Sequence, residues 1–191
     1  MRRALLLFAP LLISATQPRA TEIGSGFSAS LATCETWILH PESWVDGTEK
    51  FQASFELGDS LSPIGTVRNW ERPPEPWRVA NHYWKIQTAP DTGFTIVVSD
   101  QLPICHVTGS GSKDMRPAIE SVLSSPEFAR HWTKDSDSKQ GMLTIRNYHL
   151  TENPRFVAVV SVPDDKLWNL ERPQVLMSIQ FDLSVEEGSK L

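Results

Sequence analysis

From Gly24 to Ile38 the apolar side chains Phe27, Leu31, Cys34 and Ile38 recur at i, i+4, i+7 and i+11, behind serines able to cap a first turn. That spacing places all four on one face of an amphipathic helix. Cys34 therefore lies on the stripe that must be buried. The period then breaks. Residues 40 to 63 mix Pro, Gly, Asp and Ser with an apolar alternation at Phe51, Ala53 and Phe55, which suits a strand or a short helix equally. In "NWERPPEPWRVANHYW", residues 69–84, Pro73, Pro74 and Pro76 preclude a regular helix and favour an extended, semi-rigid loop leading into a strand.

β-branched and aromatic runs separated by turn residues predict strands over Tyr83 to Thr88, Phe94 to Ser99 and Ile104 to Thr108. The turns "APDTG" and "DQLP" are short, which makes these neighbours antiparallel. Met115, Ile119, Val122 and Leu123 then repeat at helical spacing behind Asp114 as N-cap, and Ser125 followed by Pro126 starts a short second helix through Trp132. "TKDSDSKQG" reads as a polar loop. Three strands close the chain, Met142 to Leu150, Phe156 to Val162 and Val175 to Leu183. In the last, apolar Val175, Met177, Ile179, Phe181 and Leu183 alternate with polar Ser178, Gln180 and Asp182, so one face is buried and one wet. "FVAVVSV" is apolar at nearly every position, as expected of a central strand covered on both sides. The order α-βββ-α-βββ predicts a two-layer α+β domain, an antiparallel sheet of about six strands with helices on one face.

Composition adds a destination. The first twenty residues carry Arg2 and Arg3, an apolar run from Ala4 to Ile13 and then small residues, the layout of a secretory signal peptide. The chain is thus divided into a signal peptide, 1–20, and one domain, 21–191, expected to be exported to a periplasm or secreted. The run is shorter than the ~20 residues a membrane-spanning helix needs, and no later stretch approaches that length. Removing residues 1–20 takes away three arginines and no acid, moving the formal charge from −5 to −8. So acidic a protein has little to offer a nucleic-acid backbone.

The chemistry most open to question lies in "LPICHVTGSGSKDM", residues 102–115. Gly109, Gly111 and Lys113 are too closely spaced for a P-loop, and Asp114 stands where a hydroxyl is required. The dinucleotide fingerprint lacks its third glycine. The run is read as a flexible strand-to-helix connection. In a strand, Cys105 shares a face with Val107, while His106 points to the other face with Ile104 and Thr108. That separates the two as a thiol–imidazole pair. The chain has two cysteines, an even number suited to an oxidising compartment, and a Cys34–Cys105 disulfide accounts for both. His40, His82, His131 and His149 show no metal-ligand spacing, there is no G-x-S-x-G, and Asp164 with Asp165 fits a turn after a strand. No metal or cofactor is expected.

Seven tryptophans against two tyrosines leave one surface to consider. Trp70, Trp77 and Trp84 recur every seven residues among Arg68, Arg72 and Arg78. Trp and Arg combine large area with a polar handle and are favoured at binding hot spots. Trp70, Trp77, Trp84 and Arg72 are accordingly the candidate binding residues; the competing reading folds the tryptophans inward over one edge of the core. The function expected is non-catalytic binding of a protein, peptide or glycan partner by an exported soluble protein. The alternative is a small periplasmic hydrolase or transferase whose site assembles around His106.

Overall fold

The structure, a computed structural model, describes residues 20–53, 61–164 and 172–182. Residues 1–19, which carry most of the expected signal peptide, lie outside the described residues, as do Asp165 and Leu183. The helices are α1 (Ala20–Leu39), α2 (Thr48–Ala53), α3 (Arg116–Leu123) and α4 (Pro126–His131). The strands are β1 (Leu61–Pro63), β2 (Asn81–Ala89), β3 (Thr92–Ser99), β4 (Ile104–Ser110), β5 (Trp132–Gln140), β6 (Leu143–Leu150), β7 (Asn153–Pro163) and β8 (Val175–Phe181). All eight pair antiparallel in one sheet, in the order β1-β2-β3-β4-β8-β7-β6-β5. The chain meanders from one edge to the middle, crosses through α3 and α4 to the far edge, and meanders back until β8 closes against β4.

The α+β class stands, with two strands more than the sequence pattern showed. The undecided segment before Arg68 holds both a short helix, α2, and a strand, β1. The polar stretch taken for a loop is β5, paired with β6 along its length. Only Trp132 of β5 is buried, because an edge strand lies beyond the helix layer and leaves no apolar alternation to read. Its lysines and aspartates also discourage pairing with another chain. A second correction concerns β7. Its Phe156, Ala158, Val160 and Val162 are buried while Val157, Val159 and Ser161 are half-buried, so one face only is well covered. The strands covered on both sides are β3, buried along its whole length, and β4, buried at all but its last residue.

Sequence parity explains the two layers. Trp84, Ile96, Val107, Met177 and Val160 form one row across the sheet on the helix side. Onto this side α1 lays its apolar stripe: Phe27 packs on Phe94 with ring centroids 5.9 Å apart, and Cys34 is disulfide-bonded to Cys105, Cα atoms 5.4 Å apart. Close approach here requires Gly26, since a Cβ would lie 2.4 Å from Thr88 Cγ2. Cross-linking residues 71 positions apart restricts the unfolded chain by about 4 kcal/mol in the loop-entropy description. No helix among the described residues is long and apolar enough to cross a membrane.

On the opposite side the proline-rich segment roofs β2 and β3. Glu71 accepts from Arg68 N at 2.8 Å and from Thr95 Oγ1 at 2.9 Å, and Ser99 Oγ donates to Val79 O at 2.7 Å. The glycine run after β4 is an ordered loop rather than a loose connection. Buried Gln174 accepts from Met115 N at 2.9 Å and donates to Gly111 O and Lys113 O, both at 2.7 Å. Gly111 has φ +148°, and a Cβ there would meet Thr92 Cα at 2.4 Å. Helix α3 starts one residue later than expected, with Met115 at the N-cap and no side-chain cap. Asp114 instead pairs with Arg116 at 3.0 Å. Ser125 caps α4 as the sequence indicates, accepting from Phe128 N at 3.1 Å.

Candidate functional site

Helices α1 and α3 meet at Gly24, where an added Cβ would lie 3.6 Å from Val122 Cγ2 and 3.9 Å from Ala118 O. The wall contributed by α1 is small-sided at Gly24, Ser28 and Ala32, and the facing wall presents Ala118, Ser121 and Val122. Past this contact an open groove of about 860 Å³ runs along the seam of α1 with α3 and α4, lined also by the largely buried Leu31, Phe128 and Trp132. Both walls are fixed from below, α1 by the disulfide and α3 by the Gln174-held loop. Arg146 of β6 also reaches Glu120 of α3 at 2.9 Å.

The charged chemistry is gathered at one end. Glu35 lies one turn beyond Leu31 and Ala32, with 21% of its side chain exposed. Trp132 Nε1 donates to its Oε1 at 2.7 Å, and His131 Nδ1 stands 3.7 Å from its Oε2, with 63% of the histidine side chain exposed. Burial pushes the Glu35 carboxyl above its ordinary range, against the lowering effects of the Trp132 hydrogen bond and of His131. Glu35 and His131 also line a second pocket of about 380 Å³, where His40, Arg130 and Glu152 join them. The two cavities share Glu35 and His131 as lining residues, the first mainly apolar and the second more polar. Concave, largely apolar surface with a few convergent polar groups is the usual form of a ligand site. Among the described residues no group of three or more His, Cys, Asp or Glu side chains is placed to hold a metal ion.

The residues singled out from the sequence lie elsewhere. Trp70 and Trp77 are half-buried in successive 3₁₀ turns of the roofing segment, and Arg72 between them is exposed. The Arg68 guanidinium sits 5.4 Å from the Trp70 ring centroid and occupies one face of that ring. Trp84 parts company with these two. It is 2% exposed on the helix side of β2, 5.4 Å from Trp37 and 5.5 Å from Phe51 between ring centroids. A seven-residue recurrence keeps residues in phase only along a helix; here the prolines and the entry into β2 turn Trp84 to the opposite side of the sheet.

His106 does separate from Cys105, as strand alternation requires, but it is 5% exposed. Its Nδ1 lies 2.9 Å from Ser178 Oγ and its Nε2 3.4 Å from Thr108 Oγ1. Burial lowers its pKa to about 4. Among the described residues its ring nitrogens face two hydroxyls and no carboxylate, so the third member of a triad is not among them. Glu35 and His131 were missed from sequence because they come from different elements, 96 positions apart, with no motif connecting them. The available signal was Glu35 at i+1 from buried Cys34, on the flank of the apolar stripe. No family model, curated protein or solved structure matches the chain.

Proposed function

We propose that the protein is an exported, non-catalytic binding protein that holds a short peptide segment of a partner in the cleft between α1 and α3–α4. One observation carries the reading: a cleft of about 860 Å³ with small-residue walls, apolar for most of its length and carrying a held carboxylate at one end. The walls are anchored independently, so the cleft does not rely on the ligand to hold its shape, which lowers the entropic cost of binding. Export is supported by the layout of residues 1–20 and by the Cys34–Cys105 disulfide, which suits an oxidising compartment. An extended or helical peptide fits an open groove of this kind by laying apolar anchors along the helix seam.

The hydrolase or transferase alternative draws on the 2.9 Å contact between His106 and Ser178. Against it stand the burial of the ring and the hydroxyls facing both of its nitrogens. A serine-directed fluorophosphonate is expected to leave Ser178 unlabelled; labelling there would favour the enzyme.

The test of the binding reading fills the cleft. Peptides selected from a random displayed library on the wild-type protein are measured against Ala32→Trp, which adds an indole at an exposed position of the α1 wall. Affinity is expected to fall by about tenfold or more with the unfolding midpoint unchanged. Retained affinity in Ala32→Trp, with loss in Arg72→Ala or Trp70→Ala, would move the site to the roofing segment.

A further inference from the structure

We infer that the polar end of the cleft is a recognition site for a cationic side chain, a Lys or Arg of the bound segment, with Glu35 as its counter-charge. This rests on the peptide-binding reading and names what that peptide must carry.

The charges lining the larger cavity point one way. Its two formally charged side chains are Glu35 and Glu127, with neither Lys nor Arg among the lining residues; His131, the remaining titratable one, is charged only when protonated. Glu127 already has a cation, Arg130 Nη2 at 3.8 Å. The adjoining pocket is also lined by that same Arg130 and by Glu152, and its His40 is held by Glu42 at 3.0 Å. The geometry of Glu35 differs from that of an ordinary surface acid. The Trp132 N–H, donated from a buried indole, fixes Oε1 and so orients the carboxylate. Oε2 is left beyond hydrogen-bond distance of His131, at 3.7 Å. One oxygen is thus held by the protein, and the other has acceptor capacity towards the polar end of the cavity.

Half-removed from water, this carboxylate is worth more to a cation than an exposed one would be, because screening is weaker there. Its ionised form is disfavoured by burial in the empty protein, and an ammonium or guanidinium placed at Oε2 would restore what desolvation takes away. Leu31 and Trp132 line the same cavity as Glu35, an apolar surface beside a carboxylate that suits a long amphipathic side chain. Its methylene stem would lie on the apolar floor near Leu31 and Trp132 while the charged head reaches Glu35, as lysine and arginine do at apolar–polar boundaries. His131 tunes the site: protonated, it supplies a competing positive charge beside Oε2.

A head-group series with a constant tail separates this inference from the cleft reading. n-Hexylamine, hexan-1-ol and hexanoate are titrated into the isotopically labelled protein at neutral pH, following the Ala32 and Val122 methyls, the Trp132 indole N–H and the Glu35 carboxyl carbon by NMR. Hexylammonium is expected to bind about tenfold more tightly than hexanol, to shift the Glu35 and Trp132 signals, and to lose that advantage in Glu35→Gln while hexanol binding is unchanged. The amide retains the acceptor for Trp132, so the variant is expected to fold. Equal binding of amine and alcohol in the cleft would overturn the cation site and leave the apolar cleft standing. Preference for hexanoate would overturn it too, reassigning the head-group contact to His131 and Arg130. Failure of all three to perturb the cleft would remove both readings.

Discussion

Burying the His106 ring among hydroxyls lowers its pKa to about 4, whereas an unfolded chain protonates histidine near 6.5. Between those values the unfolded state binds the extra proton. Stability fully present above about pH 6.5 is therefore lost as the pH falls towards about 4, by about 3 kcal/mol in all. His106→Gln is expected to remove that part of the pH dependence, read as the change in urea midpoint across the window; an unaltered slope would place the ring in contact with solvent. Glu35 runs in the opposite sense. Its raised value means that its contribution is complete below the ordinary Glu range and is lost as the pH rises through the folded-state pKa. Ionising the carboxyl in this setting costs stability.

At the scale of elements, the placement of α3 depends on one side chain. Gln174 spends both ends of its amide on the loop from Gly111 to Met115. Gln174→Ala leaves Met115 N, Gly111 O and Lys113 O without that partner in a buried setting, at a cost of about 3 kcal/mol. Hydrogen exchange is expected to quicken in 110–123 more than in β6 and β7; uniform quickening would mean that the loop does not anchor the helix independently. Gln174 was invisible in the sequence because a lone glutamine before a strand carries no pattern. Periodicity did reveal α1, α3 and α4 and the strands with one wet face, since burial on one side imposes it. It was silent on β5, where almost nothing is buried, and misleading on β7, where Val157 and Val159 are apolar without full cover. The Cys34–Cys105 link followed from the pattern because each cysteine sat on a face that the opposite layer had to cover.

In the whole molecule the sheet carries two unlike surfaces. The roofing segment with Trp70 and Trp77 stood out by composition, yet much of its apolar area is spent on β2 and β3. The cleft is assembled from three helices, and no short stretch of sequence contains more than part of it. Cys34 and Glu35 are adjacent on α1: the first fastens the helix to β4, and the second lines the cavity on the helix side. An acidic chain, with formal charge −5, also favours the approach of a basic segment. The most direct measurement is to map a library-selected peptide on the folded protein by NMR shift perturbation and amide protection. The account predicts changes along 24–35 of α1 and 118–132 of α3, α4 and the start of β5, with the Trp132 indole among the largest. Changes confined to 68–79, with α1 and α3 silent, would contradict it.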